Sequence, residues 1–143
     1  MDKRLAFDAR KVVGFSPDGM EDTFVSRMLV DRESVGSETM VANHFTLKPG
    51  KTTDAGSHPA PYDELYYVLR GTGIVHLGDP PEATEIRPDS VAFIPNGTTH
   101  SLKNTGSEDL ELLTVMPAQM VEGGNPLYDA RLKAWSTSFK TTE

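Results

Sequence analysis

Turn signals recur along this chain at short intervals, and they restrict it to short elements. Ser16-Pro17-Asp18-Gly19, Pro49-Gly50, Gly71-Thr72-Gly73, Gly78-Asp79-Pro80-Pro81 and Pro95-Asn96-Gly97 bring together residues that fix φ or accept positive φ. Ten prolines and twelve glycines are scattered rather than clustered, which argues against a linker and for many turns. The runs left between the turns are short, apolar and rich in β-branched and aromatic residues. The expected fold is all-β: an antiparallel β-sandwich or barrel of nine or so strands.

Taken in order, residues 1 to 22 are mixed, with the Ser16–Gly19 turn followed by an edge strand; Phe24 to Val30 reads as a strand and Asp31 to Ser37 as a polar loop. Thr39 to Lys48 is a longer strand, with Val41, Asn43, Phe45 and Leu47 on one face and Met40, Ala42, His44 and Thr46 on the other. Gly56, Pro59 and Pro61 make Lys51 to Asp63 a loop. Glu64 to Arg70 is then apolar on both faces between its first and last residues, so a carboxylate opens a buried strand. Ile74 to Leu77, Ala83 to Arg87, Val91 to Ile94, His100 to Lys103 and Leu110 to Met116 complete the set. In the strand that follows the Pro95-Asn96-Gly97 turn, His100, Leu102 and Asn104 share a face.

After Pro117 the pattern changes. Gly123-Gly124 breaks the chain, and Asn125-Pro126 supplies an N-cap followed by proline at the first helical position. Tyr128, Leu132 and Trp135 fall on one helical face, which predicts a short C-terminal helix packed on the sandwich and a frayed tail from Ser136 to Glu143. The organisation expected is a single domain over 1–143: N-terminal strands over 1–38, a barrel core over 40–116, and the helix and tail over 117–143.

Composition narrows the chemistry. A formal net charge of −7, with Lys and Arg dispersed, disfavours a nucleic-acid partner. With no cysteine, disulfides, thiolate sites and cysteine nucleophiles drop out, leaving His, Asp and Glu as metal ligands. The N-terminus lacks the apolar run of a signal peptide, and no stretch approaches the roughly 20 apolar residues of a membrane span. The expected location is cytoplasmic, with no membrane partner.

Two stretches together resemble the cupin superfamily of small β-barrels. Pro95, Gly97, His100 and Asn104 match the second cupin motif at its spacing, with Asp89 where glycine is usual. Glu64 and Gly71 match the first motif, and His58 stands where its first histidine belongs. Ala60 occupies the position of the second histidine, and Gly50 lies two residues upstream of the pattern. A second register makes His58 the second histidine and Asp63 the carboxylate, but it throws Gly71 out of phase.

The resemblance implies a jelly-roll barrel in which His58, Glu64 and His100 converge as ligands of one divalent transition metal ion, zinc, iron, manganese or nickel. His44 is a candidate fourth ligand; its alternative is a histidine hydrogen-bonded in the wall. Tyr66, two residues after Glu64, faces the same side and is a candidate acid or base, alternatively plain barrel core, with His100 as a second catalytic candidate. Phe45, Phe93, Leu102, Val68 and Met116 are expected to wall the pocket, and His76 to be exposed.

The function expected from this set is that of a metal-dependent small-molecule enzyme of the non-redox kind, a lyase, isomerase or cyclase, the last by likeness to cupin polyketide cyclases. The alternatives are a metal-dependent dioxygenase and a non-catalytic small-molecule-binding cupin. A homodimer is expected because Leu65, Tyr67 and Leu69 form an apolar outward face.

Overall fold

The computed structural model describes residues 5–122 and 125–142. Its strands are β1 (Phe24–Val30), β2 (Met40–Leu47), β3 (Glu64–Arg70), β4 (Gly73–Leu77), β5 (Glu82–Ile86), β6 (Val91–Ile94), β7 (His100–Asn104) and β8 (Leu110–Pro117). They form a five-stranded antiparallel sheet, β1-β2-β8-β3-β6, and a three-stranded one, β5-β4-β7. The antiparallel sandwich read from the turns is therefore the fold. Both sheets contribute to one apolar cluster, Leu47, Val68, Leu110 and Leu112 from the first with Val75, Ile86 and Leu102 from the second. Burial of these aliphatic side chains at roughly 1.5–3 kcal/mol each supplies the main drive to close the sandwich.

Register decides which side chains reach the interior. β2 pairs with β8 along its whole length, from Met40↔Pro117 to Leu47↔Leu110. β8 pairs in turn with β3, so Asn43, Thr114 and Tyr66 stand side by side on three neighbouring strands and face inward together. The segment read as the loop 51–63 belongs to no named strand, yet its first part runs against β7: Thr53 N donates to Leu102 O at 2.8 Å, and Gly56 and His100 exchange both backbone hydrogen bonds. Pro59 and Pro61 lack the donor that would carry this pairing further.

The first-motif glycine has a steric reason. Gly71 has φ +86°, and a Cβ there would stand 2.5 Å from Asp109 O. At the opposite corner Asp89, where the second motif has glycine, itself adopts φ 73° and accepts a 2.8 Å hydrogen bond from the Tyr67 hydroxyl. Aspartate tolerates this left-handed conformation better than most residues. Asn104 is fully buried; its amide donates to Leu47 O and Glu108 O and accepts from Gly106 N, so it staples the β7–β8 turn.

Four expectations change at the ends of the chain. Between the Ser16–Gly19 turn and β1 there is no separate edge strand, residues 21–23 being turn, and β1 itself is the sheet edge; ahead of the turn the described residues hold a 3-10 turn at Ala9–Lys11 and isolated bridges such as Phe15↔Ser26. Past Pro117 a helix, α1 (Ala118–Glu122), precedes α2 (Pro126–Trp135). α2 is capped as read, Tyr128 N donating to Asn125 Oδ1, and Trp135 packs edge-on against Phe15 at 5.3 Å. The residue α2 buries is Arg131, however, between the expected apolar positions. The tail is tied down rather than frayed: Val13 N donates to Lys140 O, Thr142 N donates to Lys11 O, and buried Ser138 donates to Asp31. Its partners lie far away in sequence, which a local reading cannot supply. The Gly123-Gly124 break lies outside the described residues, and among those residues no helix is long and apolar enough to cross a membrane.

Candidate metal centre

The turn before β7 is clasped to the loop before β3. Thr98 N closes the turn onto Pro95 O, and Gly97, at φ +76°, donates its N–H to His58 O at 2.6 Å. Asn96 donates from its backbone N and from Nδ2 to Asp63 Oδ1 at 2.8 and 3.1 Å. These bonds bring His58 onto His100, their rings 4.9 Å apart between centroids. Asp63 is thus engaged with the turn, and the register that would make it the metal-site carboxylate fails.

Glu64, only 6% exposed, points its Oε1 at both imidazoles: 3.1 Å from His58 Nε2 and 3.7 Å from His100 Nε2. His100 Nδ1 lies 3.1 Å from the Thr98 carbonyl oxygen. A carbonyl only accepts, so Nδ1 donates to it and Nε2 is the ring nitrogen directed at Glu64. The donor atoms of His58, Glu64 and His100 all lie within 4.8 Å of one another, and no other cluster of this kind occurs among the described residues. Ligands about 2.1 Å from a shared ion stand roughly 3.0–3.5 Å apart; the 3.1 and 3.7 Å separations from Glu64 Oε1 approach that spacing, and the three donors would draw closer around a divalent transition ion. The set supplies two imidazole nitrogens and one carboxylate oxygen, leaving further coordination positions open.

These three residues line a cavity of about 220 Å³. Its apolar wall is Phe45, Leu102, Met116, Met120 and Leu127, and its polar wall includes Ser26, Asn43 and Thr114. Tyr66 also lines it, 6.4 Å from the His100 ring. Burial, with the Glu64 charge in second place, pushes the Tyr66 phenol well above its ordinary range, so the ring carries its proton at neutral pH.

Other expected residues stand elsewhere. His44 lies on the opposite face of β2, where Nε2 meets Glu111 Oε1 at 3.0 Å and Nδ1 faces Arg27 at 3.4 Å; the structure does not bring it to the cluster, and the alternative of a histidine held in the wall applies. Phe93 is 55% exposed on the outer face and Val68 belongs to the core, so neither walls the cavity. His76 is half-buried on β4. Ala60, exposed in the loop, offers no donor. Asn43, Thr114 and Ser26 were missed as site residues. The signal was present for Asn43, the one amide on an inward face otherwise made of Val41, Phe45 and Leu47.

Comparison with known proteins gives a consistent picture. The family description "Cupin domain" matches residues 43–116. The oxalate-binding protein of Thermotoga maritima is 32% identical over 88 residues, 62% of this chain and 70% of that protein. The polyketide cyclase RemF of Streptomyces resistomycificus superposes with a TM-score of 0.69 at 25% identity, over 82% of this chain and 80% of its own. A predicted oxalate decarboxylase of Thermotoga maritima superposes with a TM-score of 0.67 at 23% identity, over 79% of this chain and 98% of its own, a likeness of fold.

Proposed function

The chain belongs to the cupin family, and on that premise we propose that it is a metal-dependent small-molecule enzyme of the non-redox kind, a cyclase, lyase or isomerase. His58, Glu64 and His100 hold one divalent transition ion. The observation that carries this reading is the convergence of two imidazole nitrogens and a buried carboxylate oxygen within 4.8 Å on the wall of an otherwise largely apolar cavity. Likeness to a polyketide cyclase at a TM-score of 0.69 favours chemistry on a carbonyl-bearing organic substrate.

When bound, the ion supplies Lewis acidity toward a substrate carbonyl or hydroxyl oxygen. The protein's own groups do the rest. Tyr66, protonated in its buried setting, donates a hydrogen bond or a proton to a substrate atom beside the cluster. Phe45, Leu102 and Met116 exclude water and hold the apolar part of the substrate. Thr98 keeps His100 in the tautomer that offers Nε2.

Two other readings each have an observation behind them. Two histidines and one carboxylate form the ligand set of many Fe(II) oxygenases, which favours a dioxygenase. The 32% identity to an oxalate-binding protein favours a non-catalytic binder. An oxygen electrode separates the first from the proposal: the Fe(II)-loaded protein turning over a β-keto substrate consumes no oxygen, and stoichiometric uptake overturns the non-redox assignment. Tight binding of substrate without turnover in any metal form favours the binder.

The partner expected beyond the substrate is a second copy of this chain. On the outer face of β3 and β6, Leu69, Val91 and Phe93 are 48%, 58% and 55% exposed, and Leu65 stands opposite Phe93 in register. Among the described residues, neither terminal segment covers them. Light scattering gives twice the 15.6 kDa of one chain for the wild type and a single chain for Phe93→Glu. A monomeric wild type contradicts the dimer.

A further inference from the structure

Away from the metal ligands the cavity has a polar wall backed by a buried cation. Ser26 on β1 and Asn43 on β2 lie three and two strands from Glu64, on the far side of β8. Behind them sits Arg131 of α2, 1% exposed. Its Nη2 donates to Ser26 Oγ at 2.8 Å and to Ser26 O at 3.3 Å. Its Nε is buried with no acceptor among the described residues, and no carboxylate there reaches ion-pair distance of it. Burial lowers the guanidinium to about 10, with Asp31 opposing, so it remains a cation at neutral pH. A buried cation costs stability unless it is partnered, and its partners here are Ser26, the Phe15 ring at 5.4 Å and the charge of Asp31.

The direction of the hydrogen bonds follows from chemistry. A guanidinium only donates, so Ser26 Oγ accepts from it. The single Ser26 hydroxyl hydrogen is then free to go to Asn43 Oδ1, 3.4 Å away. With its oxygen engaged, Asn43 has Nδ2 left over, and this nitrogen finds no acceptor among the described residues although Asn43 lines the cavity. We infer that the Arg131–Ser26–Asn43 chain sets the polarity of this end of the cavity, so that the molecule bound there is an organic acid whose carboxylate meets Asn43 Nδ2 while its apolar part lies against Phe45, Leu102 and Met116. The acids on the cavity wall are Glu64, beside the histidines, and the exposed Asp54. Arg131 is a positioning residue in this account and Asn43 a binding one. The inference rests on the reading of this cavity as the substrate site, though not on the ion.

The test is a titration of the full-length, EDTA-treated protein followed by the side-chain amide signals in ¹⁵N NMR, with butyrate and with butylamine as a cation of the same size. The Asn43 Nδ2 signal shifts and saturates with butyrate, at an affinity at least tenfold above that for butylamine. Arg131→Met loses the preference, and Arg131→Lys, another obligate donor, restores it. Asn43→Asp, which can only accept, reverses it and remains informative if Arg131→Met does not fold. Equal responses to the two probes, no response to butyrate, or a folded Arg131→Met that keeps the preference overturns the inference. Because the protein is stripped of metal, the butyrate response persists even where His58→Ala shows that the metal assignment fails.

Discussion

His100→Ala lowers affinity for the ion by more than about 100-fold while leaving the sandwich folded. Loss of a group that merely orients a ligand already costs roughly 10–100-fold in affinity, so loss of the ligand itself costs more. Among the described residues no other such cluster is placed to replace it: His44 is on the other face of the sheet, tied to Glu111, and Ala60 carries no donor. The fold survives because position 100 is held through its backbone, which exchanges two hydrogen bonds with Gly56, and because the substitution opens toward the cavity rather than into the core. His58→Ala acts in the same direction. Equilibrium dialysis against zinc, with circular dichroism as the control for folding, reads both; a His100→Ala protein within tenfold of the wild type would contradict the ligand assignment.

Gly71→Ala lowers stability by about 3 kcal/mol. Two costs add. Position 71 has φ +86°, which an L residue adopts at a cost of about 1–2 kcal/mol. In addition the new Cβ meets Asp109 O at 2.5 Å and Leu110 Cα at 2.9 Å, both backbone atoms that cannot swing away. At roughly 3 °C per kcal/mol for a chain of this size, the melting temperature falls by about 10 °C. Gly97→Ala isolates the first cost, because φ there is +76° with nothing within 4 Å of the added atom. It loses about 1 kcal/mol. Equal losses at the two positions would show that the close approach at Gly71 is relieved at no cost.

The parts of the fold legible in the sequence were those governed by local rules. Pro95-Asn96-Gly97 could be read as a turn because its backbone preferences belong to the residues themselves, and period-two alternation put His100, Leu102 and Asn104 on one inward face, where Leu102 and Asn104 are buried. Proximity was legible only through the cupin motifs: Glu64 and His100 lie on different strands and His58 in a loop, and no local preference says that these meet. The misreadings share a cause. Hydrophobicity alone assigns Phe93 and Val68 to a pocket, but register turns Phe93 outward and places Val68 in the apolar cluster. Arg131 was passed over because a charged residue on a helix is ordinarily solvated, whereas here the helix packs that side against Ser26 and Phe15. The tail from Ser136 was read as frayed because its anchors, Asp31 and Lys11, are remote in sequence.

The central claim is that His58, Glu64 and His100 form a metal site. The most direct measurement is elemental analysis of the full-length protein purified without chelators, set beside His100→Ala prepared in the same way. About one divalent transition ion per wild-type chain, and a small fraction of that in the variant, is the result predicted. A wild-type protein that is well folded, carries no ion and takes none up from zinc, iron, manganese or nickel solutions would contradict it, leaving the cluster as a His58–Glu64 hydrogen bond with His100 beside it.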